Sequence, residues 1–257
     1  MFKNLDLNKE LIWITLINYG YINYTKNFLK SMERANIQFK LIVYCIDEQT
    51  YNELSKNEQC ICLRADFLKK KLSSDMKSWG KIEYKQIVFA KLDAILYTLQ
   101  NTYDIGIQNI GYIDTDIYLF SDPSTIMLKE LEENKDINIF SQCDEYENKC
   151  SNNKKCKNIC SGVIVFRNKK ELYNLFEYTE QDIMKYLSDQ HYLAALLNTN
   201  NIPSYTIDKS IMPNGAYYKN LRKEKIQFEL SNCLIHFNYM VGNDKENAMK
   251  LQGLWII

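Results

Sequence analysis

The first 64 residues alternate between continuous apolar runs and segments with helical spacing, and this alternation limits the possible folds more than any other feature. The apolar runs at 11–17, 39–46 and 60–64 predict buried strands, because a strand covered on both faces carries apolar residues without alternation. Segments with helical spacing at about 25–35 and 48–56 separate these strands. A βαβαβ opening of this kind predicts an α/β fold with a Rossmann-like, mostly parallel central sheet flanked by helices.

The rest of the chain continues this pattern without an internal repeat or a linker. Further helices are predicted at about 82–99, 124–134, 169–186 and from 189 onward, and further strands from 109, at 137–142, at 159–166 and up to His236. A Lys/Asn/Cys-rich segment at 143–158 has no periodicity and is predicted as a loop or flap. A chain of 257 residues, 46% of them apolar, suits one domain spanning 1–257 with a sizeable core.

The stretch from Asn109 to Pro123 contains the clearest candidate for a functional site. Its apolar run ends in two carboxylates, Asp114 and Asp116, which are separated by one residue. In a strand, residues i and i+2 point the same way, so both carboxylates can face one hard cation such as Mn²⁺ or Mg²⁺. The same spacing also occurs where two solvated acids follow a strand in a turn. The surrounding motifs therefore decide between the two interpretations.

Composition and charge argue against some classes of function. The chain has 32 basic residues (Lys and Arg) and 32 acidic residues (Asp and Glu), so its formal net charge is zero, and its pI is near 6.7. This balance argues against nucleic-acid binding through a large positive charge. No stretch of the sequence reaches the roughly 18 uninterrupted apolar residues that a membrane-spanning helix needs. We therefore expect a soluble, cytoplasmic protein without a transmembrane segment.

Four of the eight cysteines lie in or beside the polar segment, at Cys143, Cys150, Cys156 and Cys160. Their spacings of seven, six and four residues do not give the paired knuckles of a Cys₄ zinc site. Free thiols are the default interpretation, and a zinc site or a disulfide remains an alternative.

Polar residues at predicted strand ends are candidate ligand contacts, because doubly wound sheets bind ligands beyond the carboxyl ends of their strands. Asn18 and Tyr19 follow the first predicted strand, and Asp47 follows the second. These residues could contact a base or a ribose, and each is equally an ordinary turn former. Ser161 and Gly162 lie in a later predicted strand, where small residues allow close approach by a ligand.

Charged and polar residues later in the chain add further candidates. Lys91, on a predicted helix, could reach a phosphate or face water. Asp189 lies in a first helical turn, where the helix dipole favours an acid, and its functional interpretation is a carboxylate near a cationic reaction centre. His236, one of two histidines, ends an apolar strand and is a candidate third metal ligand. Gly242 and Lys245 suit a turn that grips phosphate.

These motifs, in this order, resemble the nucleotide-diphospho-sugar glycosyltransferases with the GT-A fold, and most closely their retaining branch with a His-x-Asn…Gly…Lys…Gly-x-Trp tail. The similarity covers most of the chain. It rests on Asn18-x-Gly20-Tyr21, Lys91, Ile113-Asp114-Thr115-Asp116, Asp122-Pro123, Ser161-Gly162, Asp189-Gln190, His236-x-Asn238, Gly242, Lys245, Gly253 and Trp255. Each motif is weak alone, and the ordered set is specific.

The resemblance implies a metal-dependent enzyme that moves a sugar from a nucleotide-diphosphate donor, a UDP-sugar, to a hydroxyl of a glycan, protein or small-molecule acceptor with retention. It implies Asp116 and His236 as ligands of Mn²⁺ or Mg²⁺, with Asp114 serving the metal or the donor ribose. Asp189 and Gln190 would flank the anomeric carbon as the catalytic pair. Together with the strand-end residues, the predicted donor contacts are Asn18, Tyr19, Asp47, Lys91, Thr115, Ser161, Gly162, Asn238, Gly242 and Lys245.

One departure and two alternatives accompany this resemblance. The family usually has Asn before Ser-Gly, and this chain has Cys160, so one hydrogen bond to the sugar is expected to be missing. The first alternative is a catalytically silent sugar-nucleotide or glycan-binding protein on the same fold. The second is a Mg²⁺-dependent Asp-x-Asp phosphohydrolase, which usually has Thr or Val where this chain has Tyr118.

Overall fold

The structure is a computed structural model, which describes residues 2–145, 158–223 and 232–257. Its strands are β1 (Ile12–Ile17), β2 (Leu41–Cys45), β3 (Cys60–Arg64), β4 (Asn109–Ile113), β5 (Ile117–Leu119), β6 (Ile139–Cys143), β7 (Ile159–Arg167), β8 (Ser204–Ile207) and β9 (Leu234–His236). Its α helices are α1 (Ile22–Arg34), α2 (Glu48–Leu54), α3 (Ile82–Thr102), α4 (Pro123–Glu133), α5 (Glu180–Lys185), α6 (Asp189–Thr199), α7 (Gly215–Lys223) and α8 (Asn243–Leu251).

Seven strands form one central sheet in the order β3-β2-β1-β4-β7-β6-β8, and β5 pairs with β9 in a separate two-stranded sheet. The pairs β1–β2, β2–β3, β1–β4 and β6–β8 are parallel, while β7 runs antiparallel to both β4 and β6. The prediction of a mostly parallel central sheet is therefore confirmed. This order places the carboxyl end of β4 near the middle of the sheet, between β1 and β7.

The central sheet separates two apolar layers, and β1 contributes to both. Ile12, Ile14 and Leu16 belong to one buried cluster, whereas Trp13 and Ile17 belong to the other. This division follows from the two-residue period of a strand, because successive side chains point to opposite faces. A strand buried on both faces is the reason that the sequence shows a continuous apolar run rather than an alternation.

The structure differs from the prediction in the segment 169–186, which is not one helix. A 3-10 helix at Lys170–Phe176 is followed by the short helix α5. The break occurs at Thr179, because its side chain accepts a hydrogen bond from the backbone N–H of Asp182 while the Asp182 carboxylate accepts one from the Thr179 backbone N–H, at 2.8 Å. This reciprocal capping box starts a new helix.

Other elements extend or correct the sequence-based expectations. The strand predicted from 109 ends at Ile113, so Asp114 and Asp116 follow the strand instead of lying within it. The strand β8 and the helices α7 and α8 were not predicted. Most of the predicted loop at 143–158, including Cys150 and Cys156, lies outside the described residues, and Cys160 is a free, buried thiol.

Candidate active site

The segment from Asp114 to Asp116 joins the central sheet to the small sheet, since β4 ends before it and β5 begins after it. The backbone N–H of Asp114 donates to Gly162 O at 2.7 Å, and Phe237 N–H donates to Asp116 O at 3.0 Å. Neighbouring segments therefore hold the two carboxylates from both sides. The side chain of Thr115, between the two aspartates, contacts α1, where its hydroxyl accepts a hydrogen bond from Thr25 Oγ1 at 3.2 Å.

The pairing of β5 with β9 brings His236 to the same place. Ile117 lies opposite His236 in this antiparallel pair. As a result, His236 Nε2 lies 3.2 Å from Asp116 Oδ1 and 4.0 Å from Asp114 Oδ2. One ligand atom from each of these three residues lies within 4.8 Å of the other two. Among the described residues, Asp114, Asp116 and His236 therefore form a cluster that could hold a metal ion.

Two lysines balance the two carboxylates. Lys91 Nζ, from α3, lies 2.8 Å from Asp114 Oδ1, and Lys245 Nζ, from α8, forms an ion pair with Asp116. Burial disfavours the charge of Asp116, but Lys245 and His236 outweigh this effect and hold the pKa of the Asp116 carboxyl well below its usual range. Burial also disfavours a charged His236, and the Asp116 carboxylate overcomes it, which raises the pKa of His236 to about 10.

Gly162 leaves space that the metal-ligand candidates need. A Cβ atom at this position would lie 2.5 Å from Cε1 of His236 and 2.6 Å from Oδ2 of Asp114. No side chain fits there without moving one of the two residues. Two carboxylates and one imidazole form a donor set that suits Mn²⁺ or Mg²⁺, so the residues present fit such an ion.

Asp189 and Gln190 begin α6 and face Ser161 of β7. The side chain of Ser188 caps the helix, and Asp189 is buried with one carboxylate oxygen, Oδ2, that accepts no hydrogen bond from the described residues. Burial raises the pKa of the Asp189 carboxyl, although Lys91 opposes the shift. Gln190 Oε1 accepts a hydrogen bond from Ser161 N–H at 3.1 Å. The two predicted catalytic residues thus lie against the strand that also carries Gly162.

Asp144 organises one side of the site, and sequence reasoning missed it. Its carboxylate accepts hydrogen bonds from Gln190 Nε2 at 2.7 Å, Asn238 Nδ2 at 2.8 Å and the Tyr239 hydroxyl at 3.1 Å. Burial raises the pKa of the Asp144 carboxyl. Asp144 directly follows β6, and this position at the carboxyl end of a strand could have marked it as a site residue. The aperiodic segment that follows obscured the end of the strand.

Sequence reasoning also missed Gln142, whose amide oxygen lies 2.9 Å from His236 Nδ1.

Asn18 and Asp47 lie at the carboxyl ends of β1 and β2, as expected, and both side chains have structural partners. Asn18 Nδ2 donates to Ser73 O at 2.7 Å and to Asp75 O at 3.0 Å. Asp47 caps α2 and also accepts a hydrogen bond from the backbone N–H of Tyr19 at 2.9 Å. These contacts hold the strand-end turns in place, and contact of the three residues with a nucleotide remains a prediction.

The predicted phosphate-gripping turn is the start of a helix. Gly242, with φ of 54°, is the N-cap of α8, and Lys245 lies in the first turn. Asn238, which precedes this turn, accepts a hydrogen bond from Gly215 N–H at 2.7 Å while it donates to Asp144. The structure therefore brings Asp114, Asp116, His236, Lys91, Lys245 and Gly162 together and places Asp189, Gln190, Ser161 and Asn238 in a second linked group.

The fold and this arrangement of residues define a class, that of GT-A nucleotide-sugar transferases. The family model of the nucleotide-diphospho-sugar transferases matches residues 36–250. The chain therefore belongs to the nucleotide-diphospho-sugar transferase family. No curated protein matches the sequence.

Solved structures support the same fold at low sequence identity. The glycosyltransferase GlyE of Streptococcus pneumoniae TIGR4 matches with a TM-score of 0.61 and 14% identity over 97% of this chain and 61% of that one, so this chain spans less than two thirds of its length. The galactosyltransferase LgtC, in complex with donor and acceptor sugar analogues, matches with a TM-score of 0.55 and 13% identity over 95% and 94%. Mouse xyloside xylosyltransferase 1 matches with a TM-score of 0.53 and 13% identity over 89% and 98%.

In residues 2–145, 158–223 and 232–257, no helix is both long enough and apolar enough to cross a bilayer.

Proposed function

We propose that this protein is a metal-dependent glycosyltransferase that moves a sugar from a UDP-sugar to a hydroxyl group of a glycan, protein or small-molecule acceptor, with retention of configuration. The observation that carries the proposal is the convergence of Asp114, Asp116 and His236 within 4.8 Å. Lys245 pairs with Asp116, and Lys91, which pairs with Asp114, also interacts electrostatically with the buried carboxylate of Asp189. The choice of UDP and of retention rests on the resemblance to the retaining branch of the family.

Asp114, Asp116 and His236 would hold Mn²⁺ or Mg²⁺. When bound, the ion supplies positive charge beside the diphosphate, which gains negative charge as the glycosyl–phosphate bond breaks. Lys245 would donate hydrogen bonds to the same diphosphate, because its ammonium group already lies beside Asp116 at the start of α8. Gly162 keeps a side chain out of this space.

The sugar develops positive charge as its bond to the diphosphate breaks, and Asp189 would stabilise that charge. Its Oδ2 is buried and accepts no hydrogen bond from the described part of the chain, so its capacity to accept one is unused there. Lys91 contacts Asp114 and also favours the ionised form of Asp189, so one ammonium group links the metal-ligand candidates to the catalytic candidate. Transfer to the same face of the sugar needs no strong nucleophile from the protein.

The proposal is tested by replacing the principal metal ligand. We expect Asp116→Ala to abolish Mn²⁺-dependent binding of UDP in calorimetry while the circular dichroism spectrum stays that of the wild type. Asp136→Ala, at an exposed position, is the control and should bind UDP normally. Undiminished UDP binding by Asp116→Ala would refute the assignment of the metal site.

Turnover assays separate the proposal from its two alternatives. Slow hydrolysis of a UDP-sugar, or transfer to an acceptor, supports a transferase. Donor binding without turnover across a broad acceptor panel would support a silent binding protein. Robust hydrolysis of p-nitrophenyl phosphate would instead favour a phosphohydrolase.

A further inference from the structure

Gln142 lies fully buried in β6, at a place where the strand is irregular. Ser141 lies opposite Ile164 and Cys143 lies opposite Ile159, so between these pairs β6 has only Gln142 whereas β7 has residues 160–163. Extra residues in one strand of a pair disrupt the regular pairing and are frequent beside active sites. Here the side chain of Gln142 reaches His236, a residue 94 positions further along the chain.

The hydrogen bonds of Gln142 fix the orientation of its amide group. Gln142 Nε2 donates to the carbonyl oxygens of both Met212 and Pro213, at 2.9 Å each. A carboxamide nitrogen has two N–H groups, and both are used by these contacts. The amide oxygen must therefore be the atom that faces His236 Nδ1, at 2.9 Å. Because this oxygen can only accept, Nδ1 of His236 must carry the proton.

The proton on Nδ1 determines what the other ring nitrogen can do. In a neutral imidazole, one nitrogen donates and the other has a free lone pair. With Nδ1 donating to Gln142, Nε2 is the nitrogen that faces the carboxylates, 3.2 Å from Asp116 Oδ1 and 4.0 Å from Asp114 Oδ2. Without a metal, Nε2 donates its proton to Asp116, and a bound cation would take the place of that proton. The imidazole of His236 is thus oriented to bind a cation shared with the two carboxylates.

Two further contacts bear on this orientation. His236 N–H donates to Pro213 O at 3.0 Å, so the backbone of His236 and the amide of Gln142 share one carbonyl acceptor. The Cys160 sulfur also lies near Nδ1, but at 3.6 Å rather than the 2.9 Å of Gln142 Oε1, and a cysteine sulfur is a weak acceptor. Gln142 is therefore the stronger partner of Nδ1.

We propose that Gln142 is a positioning residue, which holds His236 with Nε2 directed at the metal-binding space and thereby sets the metal affinity of the site. This inference rests on the proposed function, because it assumes that His236 binds the metal. Groups that orient a metal-binding histidine in this way typically change metal affinity by about 10- to 100-fold when they are removed.

Two substitutions at this position separate the hydrogen bond to His236 from the structural contacts of Gln142. Gln142→Met and Gln142→Glu both remove the N–H donors to Met212 and Pro213, but only Gln142→Glu retains an oxygen acceptor for Nδ1. We expect Gln142→Met to weaken Mn²⁺ binding by about 10- to 100-fold in calorimetry, and Gln142→Glu to stay within about threefold of the wild type. Equal losses in both variants, or no loss in Gln142→Met, would overturn the inference.

Nitrogen-15 NMR of the imidazole groups gives a readout independent of affinity. The sequence contains two histidines, so a His191→Asn variant assigns the signals of His236 directly. In Mg²⁺-saturated protein we expect a low-field proton on Nδ1 in the wild type and in Gln142→Glu, shifted upfield or lost in Gln142→Met. A proton on Nε2 in the wild type would overturn the inference. Failure of the wild type to bind Mn²⁺ or Mg²⁺ at all would instead refute the proposed function on which it rests.

Discussion

At the scale of the residue, Gly162 is where the smallest change has the largest expected effect. A methyl group at this position meets His236 and Asp114 at 2.5 Å and 2.6 Å, well inside van der Waals contact. We expect Gly162→Ala to lower the affinity for Mn²⁺ by about 100-fold, because overpacking of this kind costs about 1–3 kcal/mol and displaces two of the three ligands. Calorimetric titration of Mn²⁺ into metal-free protein measures the effect.

Gly106→Ala is the matched control for that substitution. Gly106 has φ of 79°, and a Cβ atom there would have no neighbour within 4 Å. The variant should lose about 1 kcal/mol of stability through backbone strain and bind Mn²⁺ as the wild type does. Wild-type affinity in Gly162→Ala would contradict the placement of the metal between His236 and Asp114.

The Lys245 side chain is expected to weaken the binding of Mn²⁺ and to strengthen the binding of UDP. Without a metal, its ammonium group is the partner of Asp116, and a cation must compete with it. We therefore expect Lys245→Met to strengthen Mn²⁺ binding in the absence of nucleotide by about tenfold, while it weakens UDP binding through loss of the contact to the diphosphate.

Lys250→Met provides the comparison for Lys245→Met in the same calorimetric titrations. Lys250 lies on the same helix, and its side chain is 53% exposed and paired with Glu246. Its replacement should change neither affinity. If Lys245→Met weakens both Mn²⁺ and UDP binding, the ion pair with Asp116 supports the metal site instead of competing with the metal.

At the scale of the element, the position of α8 depends on the segment that follows it. Asn27 of α1 donates to Leu254 O at 2.9 Å and accepts from Ile256 N–H at 2.7 Å. Trp255, between them, packs edge-on against Tyr24 with ring centroids 5.4 Å apart. These contacts anchor the end of the chain to α1 and so fix the helix that carries Lys245.

Removal of the Asn27 side chain tests this anchoring. We expect Asn27→Ala to lower the free energy of unfolding by about 2–3 kcal/mol, because it leaves two backbone groups of the terminal segment without partners. Urea denaturation measures the loss, and UDP affinity should fall with it. Asn101→Ala, in an exposed position on α3, removes a bond within one helix and should cost less than about 0.5 kcal/mol. A loss as small in Asn27→Ala would contradict the role of the terminal segment.

Elements with strong apolar patterns could be predicted from the sequence, and weakly patterned ones could not. The runs that became β1, β2 and β7 are buried on both faces of the sheet, whereas β3, at the sheet edge, is mostly half-buried. The helix α8 has the opposite character, since Ala248 and Met249 are its buried residues and its remaining positions are mostly polar. The break at Thr179 was readable in principle, because Thr179 and Asp182 have the spacing of a capping box.

The candidate site was predictable where its members are close in the chain or carry a distinctive residue type. Asp114 and Asp116 are separated by one residue, and His236 is one of two histidines. The contacts of Gln142 and Asp144 depend on the register shift between β6 and β7 and on residues of β9 and its following turn, so only the folded arrangement shows them. The pairing of each carboxylate with a particular lysine likewise depends on the packing of α3 and α8 against the site.

At the scale of the whole molecule, the site draws on both sheets and on three helices. A ligand that binds only the folded chain stabilises it by mass action, by about 2.7 kcal/mol at a concentration 100 times its dissociation constant. For a chain of 257 residues we expect Mn²⁺ and UDP together to raise the unfolding temperature by roughly 5–10 °C. Thermal unfolding of Asp116→Asn under the same conditions should show no increase, and an equal increase in this variant would contradict binding at the site.

The measurement that tests the proposed function most directly is a calorimetric titration of UDP, GDP and ADP into the protein with and without Mn²⁺. We predict that UDP binds tightly only when Mn²⁺ is present, and that GDP and ADP bind more weakly under the same conditions. This result would connect Asp114, Asp116 and His236 to a nucleoside diphosphate. Equal binding of UDP with and without Mn²⁺, or no binding of any of the three nucleotides, would contradict a metal-dependent transferase that uses a UDP-sugar.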